Sequence, residues 1–146
     1  MNTLFGLLGK NLAHSISPVI HDIIFSKIGI SAFYHIFDVK EIELGNAVKG
    51  LTALGAVGVN VTIPYKIKVM EYIDKLSPEA QAIGSVNCIS FNKNGTLGYN
   101  TDYLGFGMML DKYNVKVEDR NAAVLGSGGA AKTVVSYLLD HGIHNI

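Results

Sequence analysis

The sequence of 146 residues holds a single cysteine, Cys88, so no internal disulfide can form. It has no excess of charge of either sign: Lys plus Arg and Asp plus Glu both total 12. Nothing electrostatic therefore draws the chain to nucleic acid or to an anionic bilayer, and a small molecule becomes the expected partner. Long apolar runs are missing too, because Gly, Ser, Lys or Asp interrupts each one well short of the roughly 18 residues that a membrane helix requires. No basic segment followed by an apolar one opens the chain, so the reading is cytoplasmic, with neither membrane nor nucleic acid as partner. Five histidines, His14, His21, His35, His141 and His144, show no metal-ligand spacing such as H-E-x-x-H, and no metal is expected. Internal repeats and low-complexity tracts are likewise absent. What remains is 49% hydrophobic and 16% charged, enough apolar material for a core. The length suits one domain or one and a fraction.

Glycine, at 16 residues, punctuates the apolar segments as turns and helix stops. Leu4 to Leu8 and Phe33 to Val39 read as strands. Between them Ser17-Pro18 leads into Val19, Ile20, Ile23, Ile24 and Ile28 at helical spacing, and Gly29 stops that helix. A weaker helix follows over Glu41 to Leu54, then a strand from Ala56 to Ile63 and a helix from about Tyr65 to Lys75. Ser77-Pro78-Glu79 starts a short helix that Gly84 ends. Val86 to Asn92 and Thr96 to Tyr99 form a hairpin around Asn94-Gly95, and Asn100-Thr101-Asp102 caps a helix covering about Tyr103 to Tyr113. Met108 and Met109 on that helix read as core residues. The alternation gives an α/β fold, a mainly parallel sheet covered by helices with one antiparallel hairpin strand. Ala122 to Leu125 reads as a new strand, followed by a glycine-rich turn, a helix from Thr133 to Leu139 and a stop at Gly142.

Polar clusters stand where the ends of parallel strands and the starts of helices place ligands. Ser15 and Ser17 put two hydroxyls at a helix start, where an anion meets free N–H groups; a capping turn without a ligand is the alternative. Asn60 and Thr62 lie two apart on a strand and share a face. Lys66 then falls at the first turn of the expected helix, where the dipole would ease release of its proton; a solvated lysine is the alternative. Asn87 sits between two apolar stretches, Asp102 follows the last hairpin strand, and Cys88 reads as a buried, unreactive thiol. Gly126, Ser127, Gly128, Gly129 and Ala130, with Ala131, fit the dinucleotide fingerprint between strand and helix; a turn that needs glycine for its geometry alone is the alternative.

Taken in this order, S-x-S-P at 15–18, N-V-T-I-P-Y-K at 60–66, G-S-V-N at 84–87, N-T-D at 100–102 and G-x-G-G-A at 126–130 resemble the shikimate dehydrogenase family over essentially the whole chain. The resemblance implies a substrate-binding domain over 1–101, a connecting helix and loop over 102–120, and over 121–146 the first strand, turn and helix of an incomplete Rossmann domain. It implies NADP as cofactor, held at 126–130, and reduction of 3-dehydroshikimate to shikimate on the way to chorismate and the aromatic amino acids. Ser15 and Ser17 would hold the substrate carboxylate, Asn60 would join the substrate site, and Thr62, Asn87 and Asp102 would bind ring hydroxyls. Lys66 and Asp102 would be the catalytic pair. The family pattern departs at Tyr99, Tyr103 and Cys88, where aspartate, glycine and threonine are common. The residues that would recognise the 2′-phosphate, and a later glutamine and tyrosine, lie outside this sequence, so the chain reads as an N-terminal fragment, monomer or homodimer. A dehydrogenase acting on both quinate and shikimate, or a non-catalytic carboxylate-binding module, are the competing readings.

Overall fold

The computed structural model describes residues 3–146. Its centre is a six-stranded sheet in the order β2-β1-β3-β5-β6-β4, formed by β1 (Thr3–Gly9), β2 (Ala32–Asp38), β3 (Ala56–Val61), β4 (Lys75–Leu76), β5 (Cys88–Asn92) and β6 (Gly95–Tyr99). β1 runs parallel to β2 and β3, β4 runs parallel to β6, and β5 is antiparallel to both of its neighbours. Five strands therefore share one direction and β5 alone opposes them, which is the expected single reversal.

Period-two alternation sends successive side chains to opposite faces. Leu8, Val59 and Val61 enter a core with Leu44, Val48 and Leu51 of α2 (Leu44–Ala53), Val69, and Ala80 of α3 (Pro78–Ile83). Leu7 and Tyr34 face the other way and pack with Phe25 of α1 (Ser17–Ile28). Helix stops at Gly29 and Gly84 adopt the left-handed conformation anticipated for them. The apolar spacing of α1 is a different matter: Phe25 is its buried residue, while Val19, Ile20, Ile23, Ile24 and Ile28 face outward. Among the described residues no helix is long and apolar enough to cross a membrane.

Several expectations are corrected. The helix expected over Tyr65 to Lys75 is a pair of turns and a 3-10 segment, Lys68–Tyr72, followed by β4. The Lys66 carbonyl accepts the Val86 N–H at 2.7 Å and is lost to a helical ladder, so the Met70 N–H bonds the Ile67 carbonyl three residues back. The strand expected at Ala122 to Leu125 does not form; one bridge joins Asn121 to Asn145, and Leu125 is 99% exposed. A strand needs a neighbour for its ladder, and the described residues place none beside it. Helices α4 (Asp102–Lys112) and α5 (Gly129–Asp140) pack on each other, Gly107 lying under the Tyr137 ring. Met108 and Met109, expected in the core, are exposed, because the buried face of α4 runs through Gly107.

Candidate functional site

The reversal of β5 assembles the site. Register pairs Asn60 with Cys88 and Cys88 with Tyr99, so the segment entering β5 lies beside the segments leaving β3 and β6. Asn87, Thr62 to Lys66, and Asn100 to Asp102 thereby reach one edge of the sheet, where β1 also delivers the chain toward Ser15.

At this edge the Lys66 Nζ donates to Asp102 Oδ2 at 2.6 Å. Asn87 Nδ2 donates to Asp102 Oδ1 at 2.7 Å and to Thr101 Oγ1 at 2.9 Å, while Asn87 Oδ1 accepts the Thr101 N–H at 2.8 Å. Both carboxylate oxygens of Asp102 are thus engaged by donors. The Lys66 side chain is 16% exposed and that of Asp102 37%, a pair open on one side to solvent. Asn87 is buried just ahead of β5. No α-helix begins at Lys66, so the dipole expected to act on its ammonium is absent, and Asp102 is the group that faces it. Asp102 itself stands in the first turn of α4, whose positive end favours a carboxylate. The cap of that helix comes from Asn100, whose Oδ1 accepts the Tyr103 N–H.

A second group lies alongside. Ser15 Oγ accepts the Ser17 N–H at 3.2 Å and donates to Ser17 Oγ at 3.1 Å. Ile16 is the residue at the N-cap, so Ser17 opens α1 without capping it by its side chain. His21, which its sequence position left unassigned, places Nδ1 at 2.8 Å from the Ser17 carbonyl and stacks on Tyr34 with ring centroids 3.8 Å apart. The Tyr34 hydroxyl donates to Asn60 Oδ1 at 2.8 Å. Thr62 is tied by its N–H to the Leu8 carbonyl, its methyl group against Gly9, and its hydroxyl has no partner among the described residues. Tyr34 and Thr101 are the participants that sequence reasoning missed. An aromatic in a strand reads as core, and a threonine between Asn and Asp reads as part of a cap.

The glycine-rich turn closes on the first group from the other side. A cavity of about 390 Å³ is lined by Lys66, Ile63, Ile67, Gly126, Gly128, Gly129 and Ala130, among others, while Ser127 is outside that lining and exposed. A Cβ on Gly129 would stand 2.5 Å from Ser85 Oγ and 2.7 Å from the Lys66 Cβ, so only glycine lets α5 start this close to Lys66. The first N–H groups of α5 precede the first helical bond, from Lys132 N to the Gly128 carbonyl, and can meet an anion. This donor set fits the pyrophosphate of a dinucleotide. Cys88 is half-buried, and burial pushes its thiol above the ordinary range, away from thiolate chemistry. Among the described residues no cluster of His, Cys, Asp and Glu could hold a metal ion.

A family model described as the shikimate dehydrogenase substrate binding domain matches residues 7–89. The sequence is 49% identical over 142 residues to shikimate dehydrogenase (NADP(+)) of Clostridium beijerinckii, a match covering 97% of this chain and 53% of that protein. The crystal structure of shikimate dehydrogenase 1 from Peptoclostridium difficile superposes with a TM-score of 0.94 at 43% identity, over 98% of this chain and 54% of the other. That of shikimate 5-dehydrogenase from Thermus thermophilus, in complex with NADP(H) and shikimate, gives 0.89 at 32% identity, over 98% and 54%. The chain spans about half the length of the curated relatives it matches.

Proposed function

The chain belongs to the family of the shikimate dehydrogenase substrate-binding domain, and from that premise we propose that its strand-edge site binds shikimate and 3-dehydroshikimate, with Lys66 and Asp102 handling the proton of their interconversion. The observation that carries this reading is the chain of short contacts from Lys66 through Asp102 to Asn87 and Thr101; Ser15, Ser17, Asn60 and Thr62 would complete the substrate site. Residues 1–101 are the substrate-binding part, 102–120 the connection, and 121–146 the opening of a dinucleotide-binding domain.

Reduction of 3-dehydroshikimate adds a hydride to the carbonyl carbon and a proton to its oxygen. NADPH, when bound, supplies that hydride. The Lys66 ammonium gives its proton to the oxygen as charge develops there, and Asp102 Oδ2, at 2.6 Å, keeps Nζ aimed while that happens. Asn87 fixes the other oxygen of Asp102 and so fixes the carboxylate plane. In the opposite direction neutral Lys66 takes the hydroxyl proton. Ser15 and Ser17 turn their hydroxyls from each other to the substrate carboxylate, near the start of α1, and Thr62 offers its free hydroxyl to the ring. Gly126, Gly128, Gly129 and Ala130, which line the Lys66 cavity, would with Ser127 receive the pyrophosphate of NADP.

Calorimetric titration of the chain with shikimate, beside quinate and beside Lys66→Ala, tests the reading. Saturable binding of shikimate, weaker for quinate and weakened in the variant, is the expected result. A folded, monomeric sample that gives no saturable heat with either ligand overturns the site assignment for this chain.

A further inference from the structure

We propose that Tyr34 is a positioning residue of the substrate site, whose hydroxyl fixes the Asn60 amide so that Nδ2 is the atom offered to the ligand. The proposal rests on the reading of Asn60 and Ser17 as substrate-binding groups.

An asparagine side chain can present either an acceptor or a pair of donors, and the choice depends on what holds the other end. In this structure Asn60 Oδ1 is occupied by the Tyr34 hydroxyl at 2.8 Å. Asn60 Nδ2, with two N–H donors, has no partner among the described residues and remains available for an oxygen of a ligand, a carboxylate above all. Asn60 stands in β3, and Tyr34 reaches it from β2 across the intervening β1, so the contact is made by tertiary packing and not by sequence neighbours.

Tyr34 is itself held in place by its packing. Its ring is buried among Leu7, Leu12 and Phe25. The His21 imidazole lies flat on it, the two planes only 14° apart. A carbonyl oxygen only accepts, so His21 Nδ1, 2.8 Å from the Ser17 carbonyl, carries a hydrogen, which anchors the imidazole to the first turn of α1. One aromatic pair thereby connects the two serines at the start of α1 to the asparagine in β3. Burial pushes the Tyr34 phenol up to about 12, so at neutral pH it keeps its hydrogen and can donate.

The test uses the intact chain with Tyr34→Phe, which keeps the ring and removes the donor, Asn60→Ala, and the double variant. In the ligand-free protein the 15N side-chain amide resonances of Asn60 are expected to move toward free-amide positions in Tyr34→Phe, with their hydrogen exchange accelerated. In shikimate titrations Tyr34→Phe is expected to weaken binding by about five- to tenfold, the worth of one neutral hydrogen bond, and to have no further effect in the Asn60→Ala background. Unmoved Asn60 resonances overturn the proposal, and so does a loss of affinity that persists undiminished without Asn60. Absence of shikimate binding by the unmodified chain counts against the substrate reading on which the proposal rests, whereas the Asn60 resonances report separately on whether Tyr34 holds that amide.

Discussion

At the scale of single residues, charge and space decide what each side chain does. Asp74 Oδ2 accepts the Thr96 N–H at 2.7 Å and the Thr96 hydroxyl at 2.9 Å, and these bonds hold its carboxyl below the ordinary aspartate range, the backbone bond contributing most. A carboxyl whose folded value is lowered stabilises the fold above its unfolded value, about 3.9, and that contribution fades as pH falls through the folded value. Asp74→Asn should therefore melt below the unmodified chain at pH 7, and the gap in Tm should be narrower at pH 3. A gap that is the same at both pH values would show that the two bonds to Thr96 do not depend on the charge. Gly129 poses a question of space. Gly129→Ala drives a methyl group into Ser85 Oγ and the Lys66 Cβ, and should cost about 1–3 kcal/mol by overpacking. Gly50→Ala inside α2 meets nothing within 4 Å and should be neutral or stabilising by up to about 1 kcal/mol. Chemical denaturation of the two variants reads the contrast directly.

At the scale of elements, α5 is attached by a buried polar staple and not by a sheet. Asn100 Nδ2 donates to the Ser85 carbonyl at 3.0 Å and to Thr133 Oγ1 at 2.9 Å, joining the end of β6, the loop before β5 and the second turn of α5. Thr133 in turn donates to the Gly129 carbonyl. Removal of Asn100 leaves the Ser85 carbonyl and the Thr133 hydroxyl short of a buried partner, each worth about 1–3 kcal/mol. Asn100→Ala should thus lower global stability and, in hydrogen exchange, open α5 before the sheet. Equal opening of α5 and β3 would contradict this attachment. The same element scale explains the 3-10 segment at Lys68–Tyr72, where one carbonyl is diverted to a distant N–H.

At the scale of the whole molecule, the distribution of apolar surface is uneven. The sheet and α2, with the 3-10 segment and α3, enclose one continuous core. The outer face of α1 instead presents Val19, Ile20, Ile23, Ile24 and Ile28 to solvent, and Leu125 stands free at the approach to the glycine-rich turn. Contiguous exposed apolar surface promotes association. Sedimentation velocity over a range of concentrations is expected to show self-association of this chain, reduced in Ile23→Lys. Concentration-independent behaviour in both proteins would show that this face is tolerated by water as it stands.

Local chemistry was enough to read most elements and most of the site. Short apolar runs marked β1, β2 and β3, Ser77-Pro78 and Gly84 marked both ends of α3, and spacing by two brought Asn60 and Thr62 into consideration together. Those signals rest on forces acting within a few residues, so the chain carries them openly. The remaining features depend on partners far along the chain. Whether Lys66 begins a helix depended on Val86, twenty residues away, claiming its carbonyl. Whether Ala122 to Leu125 pairs depended on a neighbouring strand that the described residues do not supply. Tyr34 and Asn60 meet only because β1 lies between their strands, and Lys66 meets Asp102 only because β5 runs backwards. Which residue types the site contains was determined by the sequence; which of their atoms are engaged and which are left free was decided by tertiary packing, because a hydrogen bond depends on distances that no linear spacing encodes.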